Sequence, residues 1–279
     1  MSRKWKKAIC SPLGYSRKKH TCYADTSLVK MKKFWNLSYP RNKIYANNTA
    51  GIWKQLFHKM NNVCDKENCW LDQPFMRNKI DEEMRDAFAP KHPESWKKNP
   101  TEWLSNVDIS NVLKQYEKRY KCFRFLGPFP RDFDAKSGSK CIEDEMCRFH
   151  LQKHIADQKH KMGFVFNTDP HYKSGEHWIS LFIHVKNKEI FFFDSAGDKA
   201  IPEIKTFVER IIQQGKELNI HFFFDENTYA HQKTTTECGM YSLYFIINML
   251  RDKITRKTIK TSRIPDEEMI KHRKIYFNE

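Results

Sequence analysis

Apolar residues in the front of the chain recur at helical spacing, whereas beyond about residue 160 they gather into short aromatic and β-branched runs. KMKKFWNLSY predicts one helix. AGIWKQLFHKMNNV predicts a second, with Ile52, Leu56, Phe57 and Met60 on one face and a stop near Asn61 and Asn62. Ahead of them residues 1–33 read as a basic, weakly ordered arm, and KHPESWKKNPTEW, with two prolines and dense charge, reads as a linker. The expected organisation is an arm (1–33), a helical N-terminal domain with its linker (34–100) and a larger domain (101–279).

In the larger domain, 106–121 form an amphipathic helix through Ile109, Val112, Leu113 and Tyr116. The loop GPFPRDFDAKSGSK follows, and a helix is expected near 141–158. MGFVFN, HWISLFIHV and EIFFFD predict strands, the last two joined as a hairpin through Lys186, Asn187 and Lys188. Pro202 opens a helix to about Leu218, and NIHFFFD gives a fourth strand. CGMYSLYFIINMLRDK is apolar nearly all round, so it reads as a central buried helix that begins at Cys238. A last helix follows Pro265. Helices, then strands, then helices make this an α+β chain.

With Phe, Tyr and Trp at 14% of residues, the composition is that of a folded protein. No apolar run is long enough to span a bilayer and no apolar segment follows the N-terminal charges, so a soluble, unsecreted protein without membrane contact is expected. The eight cysteines follow no regular framework and read as thiols in a reducing compartment. Net charge is +16, and residues 1–100 carry 21 Lys/Arg against 9 Asp/Glu while 101–279 carry 29 against 25. That front-loaded field suits nucleic acid or another polyanion. A merely solvated basic surface accounts for it equally well.

The candidate chemistry centres on Cys238. A helix N-terminus favours the thiolate through its unpaired N–H groups and dipole. His177 opens one strand and Asp194 closes the next, so an antiparallel hairpin lays them side by side, with the carboxylate holding the imidazole in one tautomer. Gln232, six residues before Cys238, could supply an amide N–H to an oxyanion alongside the backbone N–H of Cys238, and Gly239 would let a substrate backbone approach. With 12 His and 8 Cys many other pairings exist, and the bland alternative for any cysteine is a small buried apolar residue.

His177-Trp178, Asp194, Gln232 and Glu237-Cys238-Gly239, in this order and spacing, resemble the SUMO/ubiquitin-like-protein protease family of cysteine proteases, which includes adenain. Upstream, Glu102-Trp103-Leu104-Ser105-Asn106-Val107-Asp108-Ile109 is similar to the segment that opens the family's protease domain. The likeness is strongest to the polyprotein-processing members from African swine fever virus and other large DNA viruses; the African swine fever member carries asparagine at the position of Asp194. It covers most of 101–279 and only faintly the front third. The resemblance implies a papain-like/adenain-like core: a central mixed sheet flanked by helices, with the nucleophile at a helix N-terminus. It implies cleavage of virion precursors after Gly-Gly during maturation, in the virion and host cytoplasm. Trp103 and Trp178 would wall a channel too narrow for side chains; plain core packing is the alternative for each. No cofactor is implied for the chemistry, although DNA activates adenain, and by analogy DNA bound to the basic front third would be an activator here.

Two alternatives to a maturation protease are an isopeptidase removing SUMO-like modifiers and a non-enzymatic nucleic-acid-binding virion protein that keeps the fold. Cys64 and Cys69 near His58, and Cys141 and Cys147 near His150 and His154, lack the usual paired zinc spacing, so no metal is expected. His171 and His231 flank the site and are expected as solvated loop histidines, with a substrate contact the alternative for each. Asp169 is the rival to Asp194 for orienting the base.

Overall fold

A computed structural model of the chain describes residues 5–14 and 20–279. These form two compact units, one made of the described residues up to His92 with 274–279 and the other of 93–273, whereas the sequence puts a boundary near 100.

The first unit packs α1 (Asp25–Ser38) and α2 (Thr49–Met60), with a short α3 (Glu82–Arg85) and several 3-10 turns. Leu28, Met31 and Trp35 of α1 meet Ile52, Leu56 and Met60 of α2 around the fully buried Tyr23 and Trp70. Part of the expected arm, residues 1–4 and 15–19, lies outside the described residues. Over the remainder the structure departs from that expectation, because the apolar stripe of α1 already starts at Leu28 and because Cys22 is buried and disulfide-bonded to Cys10.

The thiol reading of the cysteines is also corrected. Cys10–Cys22, Cys64–Cys69 and Cys141–Cys147 are disulfides, leaving Cys122 and Cys238 free. Folding brings their Cα atoms to 5.2, 5.6 and 6.4 Å, within the span of such a bond, which irregular sequence spacing does not reveal.

The second unit starts with the segment expected to be a linker, which is instead packed: Trp96 is buried beneath the Arg273 guanidinium, 4.4 Å from its ring centre. Next come α4 (Asn106–Arg119), β1 (Phe123–Phe129), a small hairpin of β2 (Lys136–Ser137) and β3 (Lys140–Cys141), and the short α5 (Asp144–Cys147) and α6 (Leu151–Ala156) in place of one helix over 141–158. Then follow β4 (Lys161–Asn167), β5 (Trp178–His184), β6 (Glu189–Phe193), α7 (Pro202–Glu217), β7 (Phe223–Glu226), α8 (Cys238–Leu250), α9 (Arg256–Thr261) and α10 (Asp266–Tyr276). The five-stranded sheet has the order β1-β4-β5-β6-β7, with β4-β5 and β5-β6 antiparallel and both outer pairs parallel.

Alternation along the strands sends opposite sets of side chains to two helical layers. Ile179, Leu181, Ile183, Ile190 and Phe192 share one core with Ile204, Phe207, Val208 and Ile211 of α7. Phe182, Phe191 and Phe193 turn to the other face, where their rings lie 6.4, 6.0 and 4.7 Å from that of Phe245 on α8. Gly163 of β4 makes close approach of α8 possible, since a Cβ there would stand 2.8 Å from Ile246. The buried helix that begins at Cys238 is thereby fixed against the hairpin that carries His177 and Asp194. Among the described residues no helix is long and apolar enough to cross a membrane.

Candidate active site

The β5-β6 register pairs Ser180 with Phe193, which places the residues just before β5 next to those just after β6. His177 Nε2 and Asp194 Oδ1 stand 2.7 Å apart there, and since an ionised carboxylate only accepts, Nε2 carries the proton. Asp194 is itself held firmly. Its Oδ1 accepts from the Ala196 N–H at 2.8 Å, its N–H donates to Asn227 Oδ1 at 2.9 Å, and Asn227 Nδ2 donates back to its carbonyl at 2.7 Å. Asn227 follows β7 and is fully buried, so the neighbouring strand locks the turn.

Burial of the His177 ring disfavours its charge, but hydrogen bonds to Asp194 and Cys238, with their negative charges, outweigh this and push its pKa up to about 10. With Nε2 committed to Asp194, Nδ1 is the nitrogen left to serve the sulfur. Cys238 is the first residue of α8 and only 1% exposed. The residue before it, Glu237, does not cap the helix. Its buried carboxylate turns instead to Arg273, whose Nε donates to both oxygens at 3.0 and 3.2 Å. The first N–H groups of α8 thus receive no side-chain cap from Glu237 and remain available to an anion.

Gln232 lies on the loop before α8, between a part-buried contact with Ser195 and an exposed one with Thr234. Trp103 is 42% exposed, and the half-buried Trp178 donates its indole N–H to the carbonyl of Leu104, the residue after Trp103, at 2.9 Å. The carbonyl of Glu102 accepts from Arg273 Nη2 at 2.8 Å. The Trp103 segment is therefore tied to Trp178 on one side and to the Glu237-Arg273 pair on the other.

A Cβ on Gly239 would meet the Leu104 side chain at 2.9 Å, so the missing side chain admits the Trp103-Leu104 segment against α8. His231 is corrected: it is fully buried, with Nδ1 accepting from the Ile264 N–H at 3.1 Å. Burial, aided by the Arg263 charge, lowers its pKa to about 4, so it is a neutral structural ring. His171 is exposed as expected and pairs with Asp132 at 2.6 Å. Asp169 bonds to Asn167 and Arg131 and is absent from the contacts of His177. Among the described residues no cluster of three or more His, Cys, Asp or Glu could hold a metal ion. Residue patterns did not point to Ser195, Asn227 or Arg273, whose partners lie 33 to 171 positions away.

A thiol at an uncapped helix start, beside an imidazole oriented by a buried carboxylate, is the equipment of a cysteine hydrolase. Residues 133–279, just over half the chain, match the model of the Ulp1 protease family C-terminal catalytic domain. The chain belongs to that family and is a cysteine protease. It is 26% identical to a putative thiol protease of Acanthamoeba polyphaga mimivirus over 96% of this chain and 93% of that one. It is 28% identical to a SUMO-1 cysteine protease of African swine fever virus, over 75% and 81%. The crystal structure of an African swine fever virus protease shares its fold, with a TM-score of 0.64 at 23% identity over 97% of both chains.

Proposed function

We propose that the protein is an endopeptidase that cleaves viral structural precursors after Gly-Gly during virion maturation, acting in the virion and host cytoplasm. The observation that carries the catalytic part is His177 bonded at Nε2 to Asp194 and poised on Cys238. The Cys238 thiolate attacks the carbonyl carbon of the second glycine, and the C=O electrons move to oxygen. That oxyanion takes hydrogen bonds from the Cys238 N–H and the Gln232 amide. The C–N bond breaks as protonated His177 gives its proton to the leaving amine, leaving a thioester. His177 then takes a proton from water, whose oxygen attacks the thioester, and expulsion of sulfur restores the thiolate–imidazolium pair.

Gly-Gly selectivity draws support from Trp178, which follows His177 and whose indole is tied to the Leu104 carbonyl next to Trp103, and from Cys238 being only 1% exposed, which together favour a chain without side chains. The second reading, removal of a SUMO-like modifier, is favoured by relatives that are named for SUMO-1. A panel of Gly-Gly-X peptides and viral precursors set against a SUMO conjugate separates the two. Peptide and precursor cleavage is expected; efficient conjugate cleavage alone would overturn the maturation reading.

The polyanion partner has its own support in the first unit. From 26 to 64 the chain holds seven Lys/Arg and no Asp or Glu. A recess of about 390 Å³ is lined there by Arg41, Asn42, Lys43, Tyr45, Gln55, His58 and Lys59. Its loop is pinned by Trp35 and Asn36, which bond to the Asn42 and Ile44 carbonyls at 2.7 and 3.0 Å, while the Tyr45 ring stays 75% exposed beside the cations. Cations next to an exposed ring suit single-stranded DNA. Arg41→Glu with Lys43→Glu should weaken oligonucleotide binding by the full chain at least tenfold at low salt; undiminished binding would exclude this recess.

A further inference from the structure

The end of β6 presents two consecutive polar residues, and only the first has a role in the reaction above. Asp194 holds His177. Ser195, 1% exposed, donates its hydroxyl proton to Gln232 Oε1 at 2.7 Å, and its carbonyl accepts the Gln232 backbone N–H at 2.9 Å. Gln232 is thus gripped by one residue at both its main chain and its side chain.

That grip matters because of how an amide is built. The oxygen and nitrogen ends of a glutamine are nearly the same shape, and a half-turn about the last torsion exchanges a donor for an acceptor. Next to a developing oxyanion the nitrogen end stabilises, whereas the oxygen end would repel. Gln232 Nε2 gives one proton to the Thr234 carbonyl at 2.6 Å, which leaves its second N–H free. Turning the amide would set two acceptors, Oε1 and the Thr234 carbonyl, against each other with no proton between them. The Thr234 contact lies at the exposed end, so by itself it leaves the amide with one solvent-accessible tether. The Ser195 hydroxyl, on a residue only 1% exposed, supplies the second tether in a part-buried hydrogen bond.

We infer that Ser195 is a positioning residue that fixes the Gln232 amide with a free N–H toward the reacting carbonyl, so that the Asp194-Ser195 dipeptide sets the general base and the oxyanion donor together. This rests on the reading of Gln232 as an oxyanion donor. The donor's alignment is then built into a strand end, itself locked by Asn227, rather than left to the loop that carries Gln232.

A double-mutant cycle on a Gly-Gly-X peptide, using the full chain, tests the inference. Gln232→Ala should lower kcat about a hundredfold. Ser195→Ala should lower kcat about tenfold with KM within about twofold, and the kcat of Ser195→Cys, which keeps a weak donor, should lie between that of Ser195→Ala and that of the unsubstituted protein. In the Gln232→Ala background Ser195→Ala should cost nothing further, since nothing is left to position. An undiminished kcat in Ser195→Ala, or the same tenfold cost in both backgrounds, overturns the inference while the oxyanion role stands. Full activity in Gln232→Ala would instead remove the oxyanion role itself. If Ser195→Ala does not fold, the same cycle run with Ser195→Cys decides between these outcomes.

Discussion

At His177 burial pulls against the charge while Asp194 and Cys238 hold it, and the second influence wins, with the pKa near 10. The protein should lose activity as pH rises through about 10, because neutral His177 can no longer protonate the leaving amine. The same raised pKa contributes stability that is complete below about 6.5, the ordinary histidine value, and lost as pH rises through the folded value. Asp194→Asn removes a negative neighbour, so its alkaline limb in kcat/KM should move to lower pH. A limb that stays in place would show that Asp194 does not set the base. The neighbourhood of His177, Asp194 and Cys238 could be read from sequence because their order and spacing are local to one hairpin and one helix start. The contact of Gly239 with Leu104 was not legible, since Leu104 reaches it from 135 positions away and only the fold makes them neighbours. His231 read as a solvated ring for the same reason, since the Ile264 backbone that covers it comes from beyond α8.

Among the elements, α8 depends on what surrounds its start. Glu237 and Arg273 form a buried pair that also reaches the carbonyl of Glu102. Arg273→Met would strand a carboxylate that is 1% exposed, at a cost of about 3 kcal/mol or more. Denaturant unfolding should register that loss, along with weaker peptide turnover as the Trp103 segment loosens; a change under about 1 kcal/mol would make the pair incidental. Phe245→Ala, which removes the ring stacked on Phe193 at 4.7 Å, should destabilise by about 3–5 kcal/mol. The periodicities of α1, α2, α4, α7 and α8 and of strands β4 to β6 were plain because each buries one regular face or is buried all round. β1 was hidden, because Gly127 and Pro128 interrupt it and read as a turn, yet a bulge between Leu126 and Phe129 lets the strand continue along β4. The single helix expected over 141–158 breaks into α5 and α6, with buried Phe149 between them.

For the whole molecule, sequence gave little access to the cysteine pairing or to the packing of 93–100, because both depend on partners distant along the chain. Alkylation in denaturant tests the pairing. Two cysteines, Cys122 and Cys238, should react before reduction and all eight after it; eight reactive thiols from the start would return the protein to the all-thiol state. The central claim is that one of these two thiols is the nucleophile and that His177 activates it. It is tested most directly by treating the native protein with a Gly-Gly peptide bearing a thiol-reactive warhead and locating the adduct by peptide mass spectrometry. A single adduct on Cys238 is expected, formed far more slowly in His177→Ala. An adduct on Cys122, or equal labelling of Cys238 without the histidine, would contradict it.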